Sequence, residues 1–314
     1  MKNPAKIFRR LPKLEPLQTH RFKAMGSPCE LQFYAKETAA EAIVSQVLER
    51  VWQIEKKYSR YRDDSITTRI NAAAGSDAAV AVDEETAGLL DYADTMYQQS
   101  NGLFDITSGI LRNPWNFKAQ KLPTQSQVQQ YLPRVGWRKV TWQRPYISLP
   151  LKGMEIDFGG FVKEYASDQA AQVLQAAGVR HGLVNLGGDI SVVGPHPDDS
   201  PWQVGIQHPR EQNRAIVKIP ICYGAIATSG DYERFMLVDG KRYSHLLNPH
   251  TGWPVQPQFA SVSVIADQCL IAGSFSSLAM LKSETCPTWL NDSGVAYLQI
   301  DQQMAVSTNI PLHN

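Results

Sequence analysis

The chain has 314 residues, of which 43% are hydrophobic, so it can bury a core of normal size in one large domain or two ordinary ones. Its formal net charge of +1 gives no sign of a general nucleic-acid or membrane-surface binder. It contains no run of roughly 18 apolar residues, which argues against a transmembrane helix.

Positive charge gathers at the start. "MKNPAKIFRRLPK" holds three Lys and two Arg with no acid, and reads as a flexible basic arm over 1–18, ahead of one domain over 19–314. The arm lacks a secretory h-region. The four cysteines, Cys29, Cys222, Cys269 and Cys286, match no CxxC metal or redox spacing and read as buried thiols. The expected location is the cytoplasm, or the periplasm after removal of a leader.

"HRFKAMGSPCELQFYA" reads as an extended segment broken at Gly26. A long amphipathic helix follows over 37–59, with Val44, Val47, Leu48, Val51 and Ile54 on one stripe. A second helix runs through "DEETAGLLDYADTMYQQS", capped by Asp83, with Glu84 and Glu85 at its positive end. "NGLFDITSGILRNPW" reads as turn and loop, and "KVTWQRPYISL" as two strands joined at Pro145. "VKEYASDQAAQVLQAAGV" is a helix ending near Gly178. A strand-rich block comes next, closed by "FASVSVIA", a strand with period-2 alternation. "IAGSFSSLAMLK" is a helix with Ile271, Phe275, Leu278 and Leu281 as its apolar face and small residues crowding its first turn. "VAYLQIDQQMAVSTN" ends the pattern as a hairpin. Strands come in runs interrupted by long helices, which favours an α+β fold, a single compact unit of mainly antiparallel sheets.

Four Gly-containing loops hold the chemistry-bearing residues. "EIDFGGFVKEYASDQA" places Asp157, Gly159 and Gly160 between a strand and a helix, where exposed helix N–H groups suit a phosphate, with Lys163 one turn in. The same geometry also serves as a plain tight turn. "NLGGDI" offers Asn185, Gly187, Gly188 and Asp189, and "IATSGDYERF" offers Thr228 and Ser229. "YSHLLNPHTGWP" offers His245, Asn248, His250 and Thr251. Spacing reveals neither Ser-His-Asp logic nor an HExxH zinc motif. The small residues that open "IAGSFSS" leave open whether a metal, a phosphate or nothing sits there.

Taken in order, "FKAMGSPCEL", "YSRYRDDSITTRIN", "NGLFDITSGIL", "EIDFGGFVKEYASD", "GLVNLGGDI", "IATSGDYER" and "HLLNPHTGWP" resemble the ApbE-like FAD:protein FMN transferase family. The resemblance implies an α+β fold with a flavin cleft. It also implies transfer of FMN from FAD to a Ser or Thr hydroxyl of an acceptor flavoprotein such as a redox subunit, with release of AMP and with Mg²⁺ on the pyrophosphate. By motif, Met25, Tyr61, Leu103, Phe104 and Asp105 would contact the flavin nucleotide, and Asp157 and Lys163 would hold the FAD. Gly160 would lie beside the metal through its carbonyl, Ser277 would be a metal ligand, and His245 matches the histidine of the transfer step.

Three departures accompany the resemblance. The family's Ala-Asp-Ala-x-x-Thr is Ala272-Gly273-Ser274-Phe275-Ser276-Ser277, so the anionic metal ligand is missing. Its Asp-Pro-x-Thr-Gly is Asn248-Pro249-His250-Thr251-Gly252, and its Lys-Gly is Lys163-Glu164. Asp267, six residues before Gly273, falls on a different helix face. Mg²⁺ relies on carboxylate oxygens together with phosphates and water. Read one at a time, these changes predict weak or lost Mg²⁺ binding and slow transfer. The alternative they raise is an FAD-binding protein with little transferase activity, in which Gly273→Asp would raise both binding and transfer.

Overall fold

A computed structural model of the chain describes residues 15–310 other than 77, 118 and 120. The basic arm lies outside these residues as far as position 14, and Leu17 already opens the first strand. Strands β1 (Leu17–Ala24) and β2 (Ser27–Tyr34) form a hairpin. Met25 and Gly26 make its two-residue turn, both at positive φ, the geometry that suits the twist of paired strands.

Helix α1 (Glu37–Tyr58) follows, burying Ile43, Val47, Leu48, Val51 and Ile54, while Val44 of the expected stripe is only half-buried. After α2 (Ile66–Ala72) and β3 (Val80–Ala81) comes α3 (Glu84–Gln99), whose Asp83 side chain accepts from Thr86 N at 3.0 Å, the expected cap. The stretch read as loop contains a 3-10 helix, Ile106–Arg112. Helix α4 (Gln125–Tyr131) and the ribbon of β4 (Thr141–Gln143) and β5 (Tyr146–Ser148) lead to a 3-10 turn at Phe158–Gly160 and then α5 (Val162–Ala176).

The strand-rich block forms three pairs. β6 (Gly182–Leu186) and β7 (Asp189–Gly194) are joined by Gly187–Gly188, both at positive φ, which only glycine adopts without strain. β8 (Trp202–Gln207) pairs with β9 (Ala215–Ile221). After β10 (Gly224–Gly230), β11 (Phe235–Val238) pairs with β12 (Lys241–Ser244). β13 (Phe259–Ala266), α6 (Cys269–Lys282), α7 (Cys286–Ser293) and the hairpin of β14 (Ala296–Asp301) and β15 (Val306–Thr308) complete the chain.

One eight-stranded antiparallel sheet, in the order β1-β2-β6-β7-β10-β13-β14-β15, carries the fold. Its two faces are covered differently. Val184, Leu186, Ala225, Ala227, Val262 and Val264 belong to the cores packed with α5 and α6. Leu183, Ile190, Val192, Ile226, Leu298 and Ile300 pack with Trp202, Val204, Ile206, Ile219 and Ile221 of the β8–β9 ribbon. The cover on both faces explains why β13, read as alternating, is buried from Phe259 through Val264. The period of two puts Asp189 and Ser191 of β7, and Ser229 of β10, on the helix side.

Helix α6 differs from its sequence reading in which face is hidden. Its small residues Ala272, Gly273, Ser274 and Ser276 are buried, whereas Ile271, Phe275 and Leu281 are only half-buried. Small side chains allow α5 and the sheet to approach closely. The local sequence supplies no cap, since Gln268 makes no side-chain bond to the helix. Asp168 of α5 does this instead, accepting from Cys269 N at 2.8 Å and Leu270 N at 2.9 Å. Asp168→Ala is therefore expected to lower stability by about 1–2 kcal/mol, read as an earlier urea midpoint with unchanged slope. An unchanged midpoint would show that α6 holds its first turn without this cap.

Candidate functional site

Five segments meet at the helix-side edge of the sheet: the Met25–Gly26 and Gly187–Gly188 turns, the end of β10, and the facing turns of α5 and α6. A Cβ on Gly187 would lie 2.9 Å from Ser27 Oγ and 3.6 Å from Lys163 Nζ, so the turn has no room for a side chain. Lys163 Nζ lies 2.8 Å from Asp189 Oδ2, and the Asp189 side chain is almost fully buried. Burial alone would lower the Lys163 ammonium, but Asp189 and then Glu164 more than offset this and raise it. Burial raises the Asp189 carboxyl, with Lys163 pulling against it. Contact at this distance keeps the pair ionised, with the ammonium at the start of α5.

Glu164, the next residue, is buried at 8% exposure, and its Oε2 has no hydrogen-bond partner. It faces Gly273. A Cβ built there would overlap Glu164 Cγ and lie 2.8 Å from its Oε1. The contact follows from helix spacing. Asp168 meets the start of α6 at Cys269 and Leu270, and Glu164, one turn back along α5, meets Gly273, one turn on along α6. Ser277 is one further turn along α6, while Gly160 lies before α5, in the 3-10 turn that leads into it. The reading of position 273 as an open place awaiting a carboxylate is thus corrected, because the Glu164 side chain already fills it. Beside it, Ser229 Oγ lies 2.8 Å from Ser276 Oγ and 3.0 Å from Ser277 Oγ. Burial, followed by the charge of Asp189, pushes the Glu164 carboxyl up.

Of the residues expected to contact the flavin nucleotide, Phe104 packs on Phe161. Its ring lies 5.7 Å from Phe104, 5.9 Å from Phe158 and 5.8 Å from Tyr92. Leu103 packs half-buried on the same core. Asp105 is buried and engaged: its Oδ1 accepts from Thr107 N and Thr107 Oγ1, and its Oδ2 from Trp137 N at 3.1 Å. Its carboxylate shapes the loop, and burial raises it despite these bonds. Met25 N donates to Glu55 Oε1 at 2.9 Å. Tyr61 is 80% exposed, with the Arg60 guanidinium 5.0 Å from its ring centroid. Arg60 also forms an ion pair with Asp157, whose Oδ1 accepts from Gly159 N at 2.9 Å. Gly160 is exposed, and a Cβ there would touch nothing within 4 Å. A surface groove of about 750 Å³ lies elsewhere, lined by residues such as Lys56, Asp64, Ser65 and Arg69, and includes none of these contacts.

His245 follows β12 and is half-buried. Its Nδ1 lies 3.1 Å from the carbonyl of Arg234, five residues beyond Ser229 in the segment leaving β10. A carbonyl only accepts, so Nδ1 carries the proton and Nε2 keeps a free lone pair. Burial first, and the Arg234 charge after it, lower the imidazole from 6.5. His250 Nε2 lies 3.1 Å from the Asn101 carbonyl, which ties the loop after β12 to the Phe104 loop.

The family model for ApbE matches residues 25–298, from the turn before β2 into β14, with both helices of the site. The chain belongs to the ApbE family. It is 31% identical over 290 residues to the FAD:protein FMN transferase of Treponema pallidum, covering 82% of this chain and 79% of that protein. The Escherichia coli K12 protein of the same name is 29% identical over 255 residues, covering 78% and 72%. The crystal structure of the ApbE protein from Thermotoga maritima superposes with a TM-score of 0.84 at 28% identity, covering 93% of this chain and 97% of that one. The apo form of the Pseudomonas stutzeri flavinyl transferase ApbE gives a TM-score of 0.83 at 25% identity, covering 95% and 96%. The α+β ApbE fold expected from the motifs is the fold observed.

Sequence reasoning missed three participants in this ApbE site. Arg60 sits inside a quoted motif, but its bond to Asp157 joins residues far apart in the chain. Asp168 acts through a helix it does not belong to. Glu164 was read as a lost glycine, and its place against Gly273 shows only in the packing of α5 on α6.

Proposed function

We propose that this ApbE-family protein is an FAD:protein FMN transferase. The observation that carries the reading is His245: its Nδ1 is pinned by a backbone carbonyl, Nε2 is left free as a base, and the residue lies within the stretch that matches the ApbE family. The names of the relatives support the same reaction. A Ser or Thr hydroxyl of the acceptor attacks the phosphorus on the FMN side of FAD. The new O–P bond forms as the bond to the bridging oxygen breaks, and AMP leaves with that oxygen. His245 Nε2 takes the hydroxyl proton. Lys163 holds an oxygen of the pyrophosphate from the start of α5, and the Phe104–Phe161 cluster supports the wall on which the flavin nucleotide lies.

Among the described residues no three His, Cys, Asp or Glu side chains gather as a metal cluster. Mg²⁺ needs less, because it commonly uses one or two carboxylates with substrate phosphates and water. The unpartnered, buried Oε2 of Glu164, the Ser277 hydroxyl and the Gly160 carbonyl are a hard-oxygen set of that kind. When bound there, the cation supplies charge neutralisation at the pyrophosphate. The reading as a transferase-silent FAD binder rested on a missing carboxylate, and Glu164 brings one to the same place. The acceptor is a flavoprotein, in this reading a redox subunit. Four unpaired thiols, Cys29, Cys222, Cys269 and Cys286, support a cytoplasmic location.

The test is incubation with FAD, Mg²⁺ and a candidate acceptor, followed by in-gel flavin fluorescence and intact mass. A gain of one FMN on the acceptor with equimolar AMP is expected. A separate calorimetric titration should show FAD binding tighter than about 100 μM, roughly 5.5 kcal/mol. No heat at that concentration, or AMP released without flavinylated acceptor, would overturn the reading.

A further inference from the structure

We propose that Glu164 is the carboxylate ligand of the divalent cation in this chain, supplied from α5 in place of the acid that position 273 of α6 lacks. The inference rests on the transferase reading above and assigns a residue to its cation. Two departures from the family pattern, an acid where glycine is usual at 164 and glycine where an acid is usual at 273, become one exchange between facing helix turns. A Cβ at Gly273 would overlap Glu164 Cγ and sit 2.8 Å from Oε1, so the Glu164 carboxyl occupies the space into which an aspartate at 273 would extend.

Packing alone does not account for an acid here. Glu164 is buried at 8% exposure with Oε2 unpartnered, a cost that a glutamine or an apolar side chain of similar volume would reduce. Lys163, the nearest cation in sequence, pairs with Asp189 at 2.8 Å and not with Glu164. Ser277 lies one helical turn beyond Gly273, on the face an aspartate there would share, and its hydroxyl touches Ser229 Oγ at 3.0 Å. A carboxyl oxygen with an open lone pair beside neutral hydroxyls is a half-built site for a hard cation, which takes the place of the carboxyl proton, and the FAD phosphates complete it.

The experiment titrates Mn²⁺, with Mg²⁺ competition, into the full chain with and without FAD, reading free Mn²⁺ by electron paramagnetic resonance. Glu164→Gln keeps the shape and removes the charge. It should weaken binding at least as much as the roughly 10–100-fold cost of losing an outer partner, with a circular-dichroism melt close to that of wild type. Gly273→Asp alone should not strengthen binding, because Glu164 fills the space. The exchange Glu164→Gly with Gly273→Asp should restore affinity. Wild-type affinity in Glu164→Gln, tighter binding in Gly273→Asp alone, or no Mn²⁺ bound by wild type with FAD would each overturn the assignment. If the exchange variant does not fold, Glu164→Gln decides alone. FMN transfer is measured separately. Wild type that binds Mn²⁺ through Glu164 without transferring FMN would sink the transferase reading and leave the ligand. Transfer in a protein whose Mn²⁺ ignores Glu164 would do the reverse.

Discussion

His245→Ala is expected to slow FMN transfer by about 10²–10⁴-fold, the usual contribution of a positioned general base, with FAD affinity nearly unchanged. The Arg234 carbonyl fixes the tautomer, so the wild-type ring needs no rearrangement before accepting a proton at Nε2. Its pKa is lowered by burial and by the Arg234 charge, which fixes the sign of the pH dependence. The neutral ring is the active form, and a lowered pKa keeps it neutral to more acidic pH. The acid limb of the rate should therefore have its midpoint below 6.5 and should vanish in the alanine variant. Single-turnover flavinylation across pH checks both. A wild-type rate in the variant, or an acid limb that survives it, would remove His245 from the proton transfer.

What the sequence made legible was local. Asp83 followed by Glu84 and Glu85 announces a helix start, because the cap and its N–H partner are three residues apart. Gly187–Gly188 was legible only as a loop at a strand end, and the positive φ of both residues makes it a two-residue hairpin turn. The ordered motifs made the family fold readable for a different reason: they are an accumulated pattern rather than a physical derivation. The failures are contacts between distant segments. Ile271, Phe275, Leu278 and Leu281 looked like the buried face of α6, yet of these only Leu278 is buried, and close approach to α5 and the sheet hides the small residues beside it. A helical period shows that two faces differ, and the neighbour decides which one is covered. The Gly273 and Glu164 changes read as two losses because each was compared with its own motif. Only the α5–α6 crossing shows that they share one volume.

Removing Lys163 should produce the largest change in stability and a separate change in binding. Lys163→Ala leaves the Asp189 carboxylate buried without its partner at 2.8 Å, a type of loss that costs about 3–5 kcal/mol. The sign with pH follows from Asp189. Burial already raises its folded-state pKa above the ordinary 3.8, and losing the ammonium raises it further. A carboxyl raised on folding penalises the folded state once it must ionise, so the variant's deficit against wild type opens as pH rises through the wild-type folded value, which lies above 3.8. It is fully expressed only above the raised folded-state value. Below 3.8 both states are protonated, and wild type and variant should converge. Urea unfolding at several pH values reads this directly. FAD affinity should fall by about 10–100-fold at the same time, the effect of losing one charged hydrogen bond of about 1.5–3 kcal/mol. Lys163→Arg separates the two roles. The guanidinium can still pair with Asp189 and recover most of the stability, but its planar fork does not reproduce the compact ammonium at the start of α5. If Lys163→Ala unfolds at the wild-type urea midpoint at neutral pH, the Lys163–Asp189 pair does not hold this edge of the sheet. If it loses stability but binds FAD as before, Lys163 is a structural counter-ion and leaves the pyrophosphate to other groups.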